Sequence, residues 1–151
     1  MFYEKEVILW EALFGDGTVT ATGAYYGAGI GTGLSYQEDS ETASNECGAI
    51  TINGGTVTAT GGERAAGIGT GNADIGINTC GAITIAAGVI SVTAKKSSSN
   101  PGPNSIGKGE ILNGGTPICG TITIGGTVYW DGSDYQNGGD TYLTSNITYE
   151  P

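Results

Sequence analysis

Apolar and polar residues alternate with period two in short runs along most of the chain, and glycine or asparagine lies within three residues of the end of each run. Thr18-Val-Thr-Ala-Thr22, Thr56-Val-Thr-Ala-Thr60, Ile50-Thr-Ile52, Ile83-Thr-Ile85 and Ile122-Thr-Ile124 all follow this rule. Such alternation of β-branched residues between glycine clusters predicts strands with one buried face. Glu4 to Phe14 departs from the rule. Its composition suits a helix, and it carries Trp10 and Phe14.

The runs are copies of one another. Gly17-Thr-Val-Thr-Ala-Thr-Gly23 returns as Gly55-Thr-Val-Thr-Ala-Thr-Gly61, an offset of 38. Gly27-Ala-Gly-Ile-Gly-Thr-Gly33 returns as Ala65-Ala-Gly-Ile-Gly-Thr-Gly71 and continues in Ser105-Ile-Gly-Lys-Gly109, so Ile30, Ile68 and Ile106 are spaced by 38 and 38. Cys47-Gly-Ala-Ile-Thr-Ile52 returns from Cys80 and again from Cys119, at offsets of 33 and 39. One such unit cannot bury its own Ile and Val residues. Equivalent strands laid side by side at about 4.8 Å bury them in continuous stripes.

The expected fold is therefore all-β, a parallel β-solenoid (β-helix) of about three to four units in one domain. Residues 15–128 form the repeats, 1–14 an N-terminal cap and 129–151 a C-terminal cap rich in bulky side chains. Ile50 and Ile52 then lie over Ile83 and Ile85, and these over Ile122 and Ile124. Val19 and Ala21 lie over Val57 and Ala59, followed by Ile90 and Val92. Loops of different length absorb the unequal offsets. A three-fold β-trefoil or β-prism is the competing architecture, but the glycine density and the scarcity of bulky core residues fit its hairpins poorly.

Composition narrows the function. The chain has 151 residues, 29 of them glycine, and no histidine. Fifteen acidic residues against five basic ones give a net charge of −10, which disfavours nucleic acid and anionic membrane surfaces as partners. Val7 to Phe14 is the most apolar stretch, and it is too short to cross a membrane. The N-terminal residues lack the basic region and cleavage site of a signal peptide. Without histidine, Ser/His/Asp and Cys/His nucleophilic systems are excluded. Lys5, Arg64, Lys95, Lys96 and Lys108 fall in unrelated segments, so an enzyme is not expected. Gly102 to Gly109 fails as a phosphate loop at its last position, and Gly27 to Gly33 opens no helix. Asn146-Ile-Thr148 is a glycosylation sequon without repeat context.

Four sets of residues remain as candidate chemistry. Cys47, Cys80 and Cys119 share one repeat position, so stacking places them in a structural column of small apolar side chains. A disulfide between neighbours is the alternative, and an odd count leaves one thiol over. Outward Thr18, Thr20 and Thr22 beside Thr56, Thr58 and Thr60, continued by Ser91 and Thr93, predict a flat grid of hydroxyls and methyls. Tyr25, Tyr26, Tyr36, Trp130, Tyr135 and Tyr142 lie in or next to loops, where aromatic faces beside amides and carboxylates suit a sugar. Asp131, Asp134 and Asp140 gather in one turn-rich loop and are the only candidates for calcium, a hard cation that takes oxygen ligands. No other cofactor is implied.

The Cys47-Gly-Ala-Ile-Thr-Ile, Thr-Val-Thr-Ala-Thr-Gly-Gly and Ala-Ala-Gly-Ile-Gly-Thr-Gly patterns resemble the glycine-rich repeats of large surface proteins from gut Bacteroidetes and Firmicutes. The resemblance runs from about Gly15 to Tyr149. It implies display outside the cytoplasm of an anaerobe, or on a phage that infects one, and brings no catalytic residue and no ligand. The expected function is a non-catalytic, adhesin-like binding module that meets glycans on a host or bacterial surface. A stalk without ligand, or a binder of ice or another crystalline surface through the Thr grid, are the alternatives. Exposed repeat edges also make a homo-oligomer conceivable.

Overall fold

Fifteen short strands coil through three rungs of five, and each strand lies parallel to its counterpart in the next rung. The computed structural model describes residues 17–36, 43–97 and 102–151. The cap expected at residues 1–14 lies outside the described residues.

The first rung holds β1 (Thr18–Thr22), β2 (Ile30–Gly31), β3 (Ser35–Tyr36), β4 (Ser44–Cys47) and β5 (Ile50–Ile52). The second holds β6 (Thr56–Thr60), β7 (Ile68–Gly69), β8 (Ala73–Asp74), β9 (Ile77–Cys80) and β10 (Ile83–Ile85). The third holds β11 (Ser91–Lys95), β12 (Ile106–Gly107), β13 (Ile111–Leu112), β14 (Thr116–Cys119) and β15 (Ile122–Ile124). Five parallel sheets result, one for each side of the coil. This is a parallel β-helix, and pairing between rungs rather than within hairpins removes the trefoil and prism.

The register is that of the repeat. Ile83 pairs with Ile50 on one side and Ile122 on the other, and Ile85 with Ile52 and Ile124. Ile30, Ile68 and Ile106 form another column. The middle rung is driest: Ile68, Ile83, Ile85 and Ala59 are fully buried. One stripe differs from expectation. Val57 and Ala59 stack under Val92 and Ala94, and Ile90 is 52% exposed. The link from β10 to β11 spans five residues (86–90) where that from β5 to β6 spans three (53–55), so the inward positions begin two residues later.

Loop length explains the unequal offsets. Seven residues (37–43) separate β3 from β4, but only Ile75 and Gly76 separate β8 from β9. That five-residue difference turns an offset of 38 into 33. The tight link is strained, since Ile75 is β-branched yet sits at φ 63°. Glycine is obligatory at the middle of the Gly-Ile-Gly-Thr-Gly segment. Gly31 and Gly69 sit at φ 137° and 133°, and a Cβ on either would strike the carbonyl oxygen of Gly69 or Gly107 on the next rung.

Antiparallel strands close two of the five sheets. Gly125 and Gly126, at φ 58° and 84°, form a two-residue hairpin turn that only residues tolerating positive φ can make. It returns the chain as β16 (Thr127–Trp130), antiparallel to β15 with an irregularity at Ile122/Thr123. A single helical turn, α1 (Gly139–Tyr142), and β17 (Ile147–Tyr149), antiparallel to β11, follow. Fully buried Leu143 fills the end of the core, and its carbonyl accepts hydrogen bonds from the Ser105 N–H at 2.7 Å and hydroxyl at 3.0 Å.

Candidate functional site

Among the described residues, the corner between the first and second sheets carries the most exposed aromatic group. Tyr25 is 71% exposed and stands at φ 34°, the left-handed region that a bulky residue occupies only under constraint. The neighbouring rungs supply that constraint. Gly62 packs on the Tyr25 carbonyl oxygen, where a Cβ would not fit, and the Gly62 N–H donates to Gly27 O at 2.9 Å. Asn72 N–H donates to Tyr26 O at 2.9 Å, and one rung on Glu110 N–H donates to Arg64 O, also at 2.9 Å. The two corners are thus pinned alike, 38 residues apart.

Repeat equivalence replaces Tyr25-Tyr26 by Glu63-Arg64 on the second rung. The tyrosine rings meet edge to face with centroids 4.2 Å apart. Arg64, at φ 62°, binds Glu110 through Nη1 at 2.9 Å and approaches Glu63 through Nε at 3.7 Å. The hydrogen bond with Tyr25 holds the Tyr26 phenol above the usual tyrosine range, and the Glu63 carboxylate adds to the effect. An apolar face, two phenol groups, a carboxylate and a guanidinium therefore share one rigid corner. Glu63, Arg64 and Glu110 were not predicted for a site. Their signal was available in the 38-residue equivalence, which sets them on the tyrosines.

The other aromatics separate. Tyr36 is 40% exposed on β3, in register with Asp74. Trp130, expected as a sugar platform, is only 8% exposed. Its indole N–H donates to Cys119 O at 3.1 Å, Lys108 Nζ lies 4.2 Å from its ring, and Tyr135 meets it edge-on at 5.0 Å. Lys108 occupies the repeat position of Thr32 and Thr70, so the substitution serves the end of the coil. Tyr142 is half-buried against Tyr129, and burial raises its phenol above the usual range. Tyr135 keeps 41% exposure. Trp130 and Tyr142 are thus packing residues of the cap.

The Thr grid forms the rows Thr18, Thr56 and Ser91; Thr20, Thr58 and Thr93; Thr22, Thr60 and Lys95, so the two-residue shift that exposes Ile90 also sets Ser91 and Thr93 beside Thr56 and Thr58 rather than Thr58 and Thr60. Thr148 of β17 extends the central row, its Oγ1 3.4 Å from that of Thr93. Lys95 interrupts one corner.

The acidic loop is organised by its own backbone. Asp131 Oδ1 accepts the N–H groups of Ser133 at 2.9 Å and Asp134 at 2.8 Å, and Oδ2 accepts Gln136 Nε2 at 2.8 Å. The Asp134 N–H, then that of Ser133, holds this carboxyl below the usual range. Asp131, Asp134 and Asp140 do not converge, and among the described residues no group of three His, Cys, Asp or Glu is placed to hold a metal ion.

Cys47, Cys80 and Cys119 stand in one column, and all three are free thiols. Cys80 and Cys119 are buried and Cys47 is half-buried. The hydrogen bond with Cys119, together with burial, pushes the Cys80 thiol up to about 12, and the Cys47 thiol is also raised, by its hydrogen bond with Cys80 and by burial.

Sequence reasoning missed an interior polar ladder. The Thr32 hydroxyl accepts the Gly71 N–H at 3.0 Å, and that of Thr70 accepts the Gly109 N–H at 2.8 Å, each one rung ahead. Buried Asn78 donates through Nδ2 to Gly33 O, Gly71 O and Asn72 O. These residues satisfy corner peptide groups that no strand pairing reaches.

A β-helix repeat family matches residues 15–34 and 50–72, which cover β1, β2, β5, β6 and β7. The chain is thus similar to β-helix repeats, and the class defined is a repeat protein with a structural or binding role. No curated protein and no solved structure matches the chain. Among the described residues no helix is long and apolar enough to cross a membrane.

Proposed function

We propose that this protein is a non-catalytic, adhesin-like module that binds glycans at a cell or virion surface through the Tyr25–Tyr26 corner. The observation that carries this reading is the tyrosine pair, with Tyr25 held at positive φ, beside Glu63 and Arg64. Sugar rings stack their C–H faces on aromatics and use hydroxyls to bond carboxylates and guanidinium groups. A corner fixed by rung-to-rung hydrogen bonds keeps those groups pre-organised, which lowers the ordering cost of binding. The net charge of −10 favours neutral or cationic sugars over acidic ones. Extracellular display, which the resemblance to glycine-rich repeats of surface proteins implies, fits the same reading.

A glycan array followed by calorimetry tests it. Tyr25→Ala and Tyr26→Ala should each weaken binding about tenfold, equal to about 1.4 kcal/mol, with an unchanged circular dichroism spectrum. Binding that survives both substitutions refutes the site, and no binding to any glycan leaves a stalk without ligand. A second reading rests on the continuous row Thr20, Thr58, Thr93 and Thr148, a grid suited to ice or a crystalline surface. Absence of thermal hysteresis and of binding to crystalline polysaccharide removes it.

A further inference from the structure

We propose that the cysteine column is a linear, two-coordinate site for a soft d10 cation, Hg(II) or Cu(I), taken between sulfurs of adjacent rungs. Cys47 pairs in register with Cys80, and Cys80 with Cys119. In-register parallel strands send equivalent side chains in the same direction, about 4.8 Å apart. That geometry opposes a disulfide, whose Cβ atoms must approach to roughly 3.8 Å. It suits a metal bridge. A metal–thiolate bond of about 2.3 Å, doubled in a straight line, spans about 4.6 Å.

The surroundings select the same chemistry. Sulfur ligands without histidine or carboxylate prefer soft ions. Zinc requires four ligands, and the column offers each ion two. The absence of any three-residue metal group among the described residues leaves a two-coordinate pair untouched. Cys80 and Cys119 are only 1% and 3% exposed and belong to the apolar core. Among the described residues, Cys47 on the first rung is half-buried and nothing lies within 4 Å of the Cβ position on Gly48, so that rung offers the way in. The far end is closed by Trp130, bonded to the Cys119 carbonyl.

The step balances without a redox partner. Two S–H bonds break, two S–metal bonds form, and two protons leave to solvent. Affinity should therefore rise about 100-fold per pH unit while both thiols begin protonated. Hg(II) forms a neutral pair, whereas Cu(I) leaves one negative charge in an apolar core, which is costly. Hg(II) is accordingly the tighter ligand.

The site is independent of the glycan corner. To test it, the full chain is titrated separately with Hg(II) and Cu(I) in excess monothiol, and X-ray absorption counts the sulfur ligands. The expected result is two sulfurs at about 2.3 Å. Cys80→Ala, which belongs to both pairs, should lose at least about 100-fold in affinity, equal to about 2.8 kcal/mol, whereas Cys119→Ala should keep the Cys47–Cys80 site. Circular dichroism of the metal-free variants establishes that they fold. Three or more sulfurs, unchanged affinity in Cys80→Ala, loss of the site in well-folded Cys119→Ala, or tighter binding of Cu(I) than Hg(II) each overturns the proposal.

Discussion

Ile83→Ala tests whether rungs stabilise one another through in-register aliphatic columns. Ile83 is fully buried and lies between Ile50 and Ile122. The substitution deletes three carbons, worth about 2.4 kcal/mol at roughly 0.8 kcal/mol per buried group. The cavity left between two flanking rungs raises the cost to about 3–5 kcal/mol. Ile50→Ala should cost less, about 2–3 kcal/mol, because Ile50 is 6% exposed and its strand pairs with one described rung rather than two. Ile83→Val should cost about 0.5–1.5 kcal/mol. In urea followed by circular dichroism, a slope of about 2 kcal/mol per molar lowers the Ile83→Ala midpoint by about 1.5–2.5 M. A loss under about 1 kcal/mol, or a greater loss for Ile50→Ala than for Ile83→Ala, would refute nearest-neighbour coupling as the source of stability.

Three further outcomes follow from the geometry. Thr70→Val keeps the shape but orphans the Gly109 N–H, so chemical denaturation should show a loss of about 1–3 kcal/mol, with a smaller loss for half-buried, outward Thr58→Val. Gly69→Ala drives a Cβ into the Gly107 carbonyl at φ 133°, and soluble expression with a native thermal transition should fail, whereas Gly33→Ala, with open space at its Cβ among the described residues and no positive φ, should fold. The Cys80 thiol is raised to about 12 in the folded chain, above its unfolded value of about 8.5. Its contribution is complete below that lower value and is lost as pH rises toward 12, so the thermal midpoint should fall across this window, and less steeply in Cys80→Ala.

Much of the fold was legible because a repeat states its own contacts. Identical strands at fixed offsets have one pairing that buries both Ile residues of each Ile-Thr-Ile run, and Ile50, Ile83 and Ile122 had to align for any copy to lose water from its apolar face. The cysteine column and the Thr pairs of the first two rungs follow from the same register. One stripe was misplaced because Ile90 looks as apolar as Val92, and only the length of the Ala86–Ile90 link decides which of them points inward.

The sequence by itself determined the period, the inward positions of all the repeated strands but β11 and the absence of histidine chemistry, since composition and alternation are properties of the chain. Tertiary structure decided what each irregular residue does. Trp130 has the composition of a sugar platform, yet the Gly125–Gly126 reversal folds it onto Cys119, where its N–H finds an acceptor and its ring a buried place. Tyr25 and Arg64 are 39 positions apart and carry no shared motif. Only the coil stacks their corners, and only the peptide groups of adjacent rungs hold both at positive φ. Periodic residues take their place from local pattern. A residue that breaks the pattern takes its place from whichever distant neighbour satisfies its hydrogen bonds and volume.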